Sequence, residues 1–268
     1  IGRTIGIGGI ATNYHDLGTG APVLFIHGSG PGVSAWANWR LNIPVLAERG
    51  LRCLAPDMLG FGYTGSPPDL KFSMQGWVEH LAGFTAAMGI ERFSIVGNSF
   101  GGALALAYAI RFPAQVEKLV LMGSVGIEFP LTEGLDLAWG HVPTIANMRR
   151  LLDVFAFNEG LVSDDLAEMR HRAAMRPGVM EAFSAMFPAP RQDGIRALAS
   201  PEEQIAGITA PTLVIHGRED KVIPVTNAQR LFELLPQAEL HLFRNCGHWT
   251  QIEKAGRFNA LLADFLAG

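Results

Sequence analysis

Apolar residues in this chain come in short unbroken runs, separated by stretches of helical periodicity. Six runs read as strands: Val23-Leu24-Phe25-Ile26, Arg52-Cys53-Leu54-Ala55, Phe93-Ser94-Ile95-Val96, Leu119-Val120-Leu121-Met122, Thr212-Leu213-Val214-Ile215 and Leu240-His241-Leu242-Phe243. Continuous hydrophobicity, in place of strict alternation, predicts strands buried on both faces of a mainly parallel sheet. Ala11-Thr12-Asn13-Tyr14-His15-Asp16 alternates better and predicts an antiparallel edge hairpin. Helical stretches fall at about 35–49, 73–89, 99–111, 226–235 and 254–266, with Pro44 expected to kink the first and Pro113 to stop the third. The alternation of strand and helix predicts an α/β fold with helices on both faces of the sheet.

From about 127 to 192 the strand rhythm stops. Amphipathic helical patterns take over, carrying Met148, Phe155, Phe157, Met169, Met175, Met180, Phe183, Met186 and Phe187. A helical block inserted between two strands of such a sheet lies over its carboxyl edge, where open α/β sheets bind ligands. The expected organisation is therefore a core domain of residues 1–126 and 193–268 with a helical lid at 127–192. Most of these Met and Phe residues read as the core of the lid helices, and a minority as substrate contacts.

A length of 268 residues fits one large domain that needs neither disulfides nor a structural metal. Charge narrows the partners: 21 basic against 25 acidic residues gives −4, with no Lys/Arg-rich run. That argues against nucleic acid and against a polyanionic membrane surface. Cys53 and Cys246 lie far apart without C-x-x-C spacing and read as free thiols in a reducing compartment. Glycines break the start of the chain, so no signal-peptide core is expected there, and no apolar run approaches the roughly 20 residues of a membrane span. The expectation is a cytoplasmic protein whose extreme N-terminus, beginning at Ile1, has been trimmed.

The chemistry is concentrated at Gly97-Asn98-Ser99-Phe100-Gly101, directly after one predicted strand and before the small-residue helix Gly102-Ala103-Leu104-Ala105-Leu106-Ala107. A serine on so tight a strand-to-helix turn is a nucleophile elbow, with the Phe100 amide and the helix N-terminus aimed at a developing oxyanion. A serine nucleophile needs a base and a group to orient that base. Asp220, in His216-Gly217-Arg218-Glu219-Asp220, and His248, in Asn245-Cys246-Gly247-His248-Trp249, each follow a predicted strand. The order Ser99…Asp220…His248 is that of an α/β-hydrolase. Alone, Asp220 reads as a turn residue and His248 as a helix cap; the three together, in order and in the right loops, read as a triad.

The loop His27-Gly28-Ser29-Gly30-Pro31-Gly32 follows the strand that supplies the second oxyanion donor in this fold. Gly28 and Gly30 let its backbone approach a ligand, and the Ser29 amide is the expected donor. A phosphate loop is disfavoured because no G-K-[ST] follows. His27 reads as structural, and Cys246 as an inert packing thiol. His15, His80, His141, His171 and His241 lack metal-ligand spacing, so no metal is expected.

Segments 27–32, 36–40, 56–62, 97–102 and 247–249 together resemble one family, and the likeness spans nearly the whole chain, lid included. The chain resembles the meta-cleavage product hydrolases of bacterial aromatic degradation, serine-type enzymes that cut carbon–carbon bonds. Within the family it looks most like members acting on alkyl-substituted ring-fission products, as in the cumene and toluene pathways. The resemblance implies that Asn38 and Asn98 contact the carboxylate or 2-oxo end of the substrate, that Arg176 pairs with that end, and that Trp249 closes the pocket beside His248. A guanidinium fork suits a planar carboxylate with an adjacent oxygen. The alternatives stay open: Arg170, Arg172 and Arg191 rival Arg176, Asn38 and Asn98 also read as capping amides, and Trp249 as core.

By resemblance, the substrate is a 2-hydroxy-6-oxohexa-2,4-dienoate with a small alkyl group at C6, and the enzyme is a homo-oligomer using no cofactor. Ile127, Phe129, Trp139, Met186, Val222 and Ile223 are the candidates for lining the C6 pocket. Rival readings are a carboxylesterase, a cofactor-free haloperoxidase-like protein and a non-catalytic small-molecule receptor. A lid arginine with paired asparagines discriminates against the esterase, because neutral esters offer no carboxylate.

Overall fold

The computed structural model describes residues 1–67 and 70–267. Among these, eight strands form one sheet: β1 (Arg3–Ile7), β2 (Ile10–Leu17), β3 (Ala21–Ile26), β4 (Leu51–Pro56), β5 (Phe93–Asn98), β6 (Val116–Met122), β7 (Thr212–Gly217) and β8 (Ala238–Phe243). Their spatial order is β1-β2-β4-β3-β5-β6-β7-β8. Every pair from β4 to β8 is parallel, and β2 runs antiparallel to both β1 and β4.

The unbroken apolar runs follow from this arrangement. Successive side chains of a strand point to opposite faces, and here both faces are covered. Leu24, Ile26, Leu119 and Leu121 join one core, whereas Val23, Phe25, Val120 and Met122 join the other. Helices Met74–Ala87 and Phe100–Arg111 contribute to the first; Trp39, Ile43, Phe258 and Leu262 fill the second.

The expected antiparallel edge hairpin is present: β2 pairs with β1 from Arg3↔Tyr14 to Ile7↔Ile10 across a Gly8-Gly9 turn, although glycines at 2 and 6 hide β1 in the sequence. One local expectation is corrected. The single helix expected at 35–49 is two, Ala35–Trp39 and Ile43–Glu48. Pro44 does not kink it. It sits in the first turn of the second helix, where its missing N–H costs nothing. Asn42 fixes the break by donating Nδ2 to Gln251 O and Asn259 Oδ1.

Between β6 and β7 lie the helices Glu133–Trp139, Ile145–Phe155, Asp164–Ala174, Val179–Met186, Gln192–Leu198 and Glu202–Ile205. Thr132, Thr144 and Ser163 cap the first three, each hydroxyl accepting from an amide three residues on. Helix Asp164–Ala174 also has Asp164 and Asp165 in its first turn and His171 and Arg172 in its last, matching its dipole. Met148, Phe155, Phe183, Met186 and Phe187 are buried, while Phe157, Met169 and Met175 are exposed. No helix among the described residues is long and apolar enough to cross a membrane.

Candidate active site

Strand β5 ends at Asn98, and the next residue, Ser99, has φ 55° and ψ −115° before helix Phe100–Arg111 begins. A non-glycine residue held there is strained by roughly 1–3 kcal/mol. The flanking glycines permit it: a Cβ on Gly97 would strike Gly101 O, and one on Gly101 would strike Ile26 O. Ser99 N donates to Met122 O at 2.9 Å and Ser99 O accepts from Val125 N at 3.1 Å, locking the turn onto the end of β6. Phe100 opens the helix, so its amide has no intrahelical acceptor.

The loop after β7 carries Asp220, and the loop after β8 carries His248. His248 Nδ1 donates to Asp220 Oδ2 at 2.7 Å, which leaves Nε2 as the basic nitrogen. Asp220 Oδ1 accepts from Val222 N at 2.7 Å and Ile223 N at 3.0 Å. Burial alone would push the Asp220 carboxyl up. The charge of His248 and hydrogen bonds from His216 and His248 outweigh it and hold the group well below the usual carboxylate range. Ser99 comes to this pair through β6: its amide bonds Met122 O, and the next residue, Gly123, packs against the His248 ring, where a Cβ would lie 3.2 Å from Nδ1. The structure makes no hydrogen bond from Ser99 Oγ to His248 Nε2, a contact that often tightens only around substrate.

The helical segment between β6 and β7 grips the His248 loop. Phe155 O accepts from His248 N (2.8 Å) and Trp249 N (3.3 Å), and its ring packs on both side chains. Glu253 ties the same elements, accepting from Gly247 N at 2.7 Å, Phe157 N at 3.0 Å and Asn158 N at 2.9 Å.

After β3 the loop 27–32 runs against the nucleophile. A Cβ on Gly28 would lie 2.8 Å from Asn98 Oδ1 and 3.3 Å from Ser99 Cβ. His27 is fully buried; its Nε2 accepts from Met58 N at 3.0 Å and its Nδ1 donates to Gly28 O at 2.8 Å. Burial, more than any neighbouring charge, lowers its pKa. It serves as a strut for the loop. Ser29 Oγ accepts from Trp139 Nε1 at 3.0 Å, anchoring the loop to the lid.

A cavity of about 470 Å³ opens in front of this assembly, lined by Gly28, Ser29, Asn38, Asn98, His248 and Trp249 among others. Gly30 does not line it; its carbonyl turns the loop by accepting from Val33 N. Asn38 Oδ1 accepts from Gly28 N at 3.3 Å, but its Nδ2 is buried without a partner. Asn98 Nδ2 donates to Met122 O at 3.3 Å.

Three arginines line the cavity: Arg40, Arg170 and Arg176. Arg176 is already engaged, donating Nη2 to Gly62 O at 2.8 Å and Nε to Ala173 O at 3.2 Å, with its guanidinium 4.0 Å from the Tyr63 ring centroid. Arg170, on helix Asp164–Ala174, is different. Its Nε is buried without a partner, and burial, with the nearby charge of Arg40, lowers its pKa to about 10. Arg172 pairs with Glu168 and Arg191 with Asp136, both away from the cavity.

The family model for the alpha/beta hydrolase fold matches residues 21–255. The 2-hydroxymuconate semialdehyde hydrolase of Pseudomonas sp. (strain CF600) is 56% identical over all of this chain and 94% of its own. The chain is a meta-cleavage product hydrolase by family. A 2-hydroxy-6-oxo-2,4-heptadienoate hydrolase of Pseudomonas putida is 54% identical, covering 100% of this chain and 96% of the relative. Among solved structures, a variant of the meta-cleavage product hydrolase CumD from Pseudomonas fluorescens IP01, complexed with acetates, superposes with a TM-score of 0.97 at 53% identity, covering 99% of this chain and 97% of that one. Membership carries the fold and the serine-hydrolase class with it.

The family's loop order was readable in the sequence, but not every side chain. Arg170 stood there only as a rival to Arg176, Phe155 only as one of the apolar residues of segment 127–192, Arg40 only within the segment 36–40, and Glu253 had no role, because their placement depends on how the helices between β6 and β7 pack. Of the C6 candidates, Ile127, Phe129, Trp139, Met186, Val222 and Ile223 are all buried in the larger core, and none lines the open cavity. Both cysteines are buried and unpaired, with burial pushing each thiol up to about 12.

Proposed function

We propose that this hydrolase cleaves the C5–C6 bond of a 2-hydroxy-6-oxohexa-2,4-dienoate bearing a small group at C6, releasing 2-hydroxypenta-2,4-dienoate and a carboxylic acid. The observation that carries the reading is the pair of unused donors, Arg170 Nε and Asn38 Nδ2, in the same cavity as His248 and beside the Ser99 turn. A buried guanidinium without a carboxylate of its own is a site for an anion, and a planar carboxylate fits it. In this reading Arg170, not Arg176, takes the substrate carboxylate, Asn38 and Asn98 contact the neighbouring oxygen, and Arg176 braces Tyr63 at the rim.

Carbon is a poor leaving group until the substrate ketonises. The proton of the 2-hydroxyl moves to C5, giving a 2,6-dioxo-3-enoate whose C5 is conjugated, once released, with the C2 carbonyl. Ser99 Oγ then attacks C6 as His248 Nε2 takes its proton, with Asp220 orienting the ring. The C6 oxyanion rests on the amides of Phe100 and Ser29; the Gly28 amide is already committed to Asn38. When C5–C6 breaks, the electron pair runs through C4 and C3 to the C2 oxygen, and the proton on His248 returns to that dienolate. Water, deprotonated by His248, then attacks the acyl-Ser99 and frees the C6 acid. Trp249 shields the face beside His248.

Likeness supports a small C6 group: the relative that acts on 2-hydroxy-6-oxo-2,4-heptadienoate is 54% identical over the whole chain. A homo-oligomeric, cytoplasmic enzyme belongs to the same proposal, by family likeness. The test is bleaching of a yellow 6-methyl dienoate with recovery of 2-hydroxypenta-2,4-dienoate and acetate over many turnovers. Persistence of the colour while p-nitrophenyl esters are hydrolysed would instead establish an esterase.

A further inference from the structure

Asp220 does not serve His248 alone. His216, the fifth residue of β7, has a side chain with no solvent exposure, and its Nε2 lies 3.3 Å from Asp220 Oδ2 and 3.0 Å from Ile223 O. Both of those atoms are acceptors, so the ring must carry its hydrogen on Nε2 and share it between them. Its Nδ1 is buried without a partner, which leaves the second nitrogen nothing to donate to. Strand β7 holds the ring rigidly, being paired with β6 on one side and β8 on the other, with His216 in register with Leu242. The carboxylate thus accepts two amides on Oδ1 and the His248 imidazole on Oδ2, with the His216 imidazole against the same Oδ2 at 3.3 Å. His216 does not line the cavity.

Resting on the triad reading given above, we propose that His216 is a positioning residue: by sharing Asp220 Oδ2 with His248, it fixes the carboxylate plane and tempers the charge that His248 feels. The sign of its effect follows. Without His216, Oδ2 accepts from His248 alone and stabilises the imidazolium more strongly, so His248 holds a proton to higher pH. A general base must be unprotonated, so the acid limb of the kcat profile then moves up. Other ionisable groups around the pair are Cys246, whose thiol senses Asp220, Glu253 bonded to Gly247, and Arg170 across the cavity; none is changed by replacing His216. The lid and β6 elements that pack on His248 present Phe155 and Gly123, which carry no titrating group.

The test compares parent, His216→Phe and His216→Gln on a 6-methyl dienoate, with Ser99→Ala as reference. Glutamine places an amide N–H where His216 Nε2 stands. Expected for His216→Phe are a kcat lower by roughly tenfold at neutral pH, an acid limb raised by about half a unit and an unchanged KM; His216→Gln should return the limb and most of kcat. Parent-like kcat and limb in His216→Phe would overturn the proposal. So would a loss of kcat with an unmoved limb and no rescue by glutamine, since that describes packing only. If His216→Phe does not fold, ¹⁵N spectra of histidine-labelled parent decide: a hydrogen on His216 Nε2 supports the proposal and one on Nδ1 overturns it. Turnover surviving in Ser99→Ala would instead sink the triad reading beneath it.

Discussion

Arg40 and Arg170 line one cavity and repel each other across it, and among the described residues no carboxylate side chain lines that cavity with them. Arg176 adds a third cation at the Tyr63 rim, in a chain whose net charge is −4. Two guanidinia brought together make a cationic cleft, and such a cleft draws an anionic ligand in.

Arg40 donates only to Ala37 O within its own helix, at 2.7 Å, so its charge is available to the cavity mouth. Arg40→Gln is expected to lower kcat/KM for a dienoate several-fold at low ionic strength, with kcat unchanged. The gap should close above a few hundred millimolar salt, where charges are screened within a few Å. A salt-independent loss would assign Arg40 to direct substrate contact instead.

Removing the orienting carboxylate frees His248 to adopt the wrong tautomer. Asp220→Asn should therefore lower kcat by about 10⁴-fold, as expected for a mispositioned base, with KM little altered. Ser99→Ala should bind the dienoate without bleaching it. Pre-steady-state absorbance separates binding from turnover in both variants.

The small C6 group of the proposed substrate predicts a graded choice at that position. Going from methyl to ethyl, isopropyl and phenyl, kcat/KM should fall stepwise, each methylene counting for roughly 1–3 kcal/mol at most. Equal rates for methyl and phenyl substrates would overturn the small-group reading.

Acid should destabilise the fold through buried neutral histidines. His80 is hydrogen-bonded to Thr12 Oγ1 at 2.8 Å, and burial lowers its pKa to about 4. The unfolded chain takes up that proton near pH 6.5 while the folded chain does not. Its contribution is thus complete above about pH 6.5 and is lost as pH falls towards 4, by at most about 1.4 kcal/mol per pH unit. His80→Gln should flatten the pH dependence of urea-unfolding stability between pH 6.5 and 4.5; an unchanged slope would place the sensitivity elsewhere, with His141 next in line.

The sheet was legible for specific reasons, and so was the placing of Ser99, Asp220 and His248 in loops after strands. Ser99 and Asp220 follow β5 and β7, buried along their whole length, whereas His248 follows the edge strand β8, only partly covered and carrying His241 within its apolar run. Strand β1 was not legible because Gly2 and Gly6 weaken its pattern and only pairing with β2 makes it regular. Pro44 was misread because a proline inside a helix and one in a helix's first turn look alike until the break at Asn42 is seen. The sequence could not rank Arg170 against Arg176, six residues apart, for the proposed carboxylate contact. Helix Asp164–Ala174 ends before Arg176, which falls on Tyr63 and Gly62, while Arg170 stays on the helix and reaches the cavity. No periodicity in the sequence encodes that docking, because it depends on contacts between the lid and the loops beneath it.

One cavity joins His248, beside the Ser99 turn, to the proposed carboxylate clamp at Arg170. The decisive comparison is kcat/KM for a 6-methyl dienoate and for p-nitrophenyl acetate in the parent and in Arg170→Gln. Loss of a buried charge-assisted pair should lower the dienoate value by about 10²-fold or more while leaving the neutral ester within a few-fold. Equal losses on both substrates, or none on the dienoate, would contradict the account.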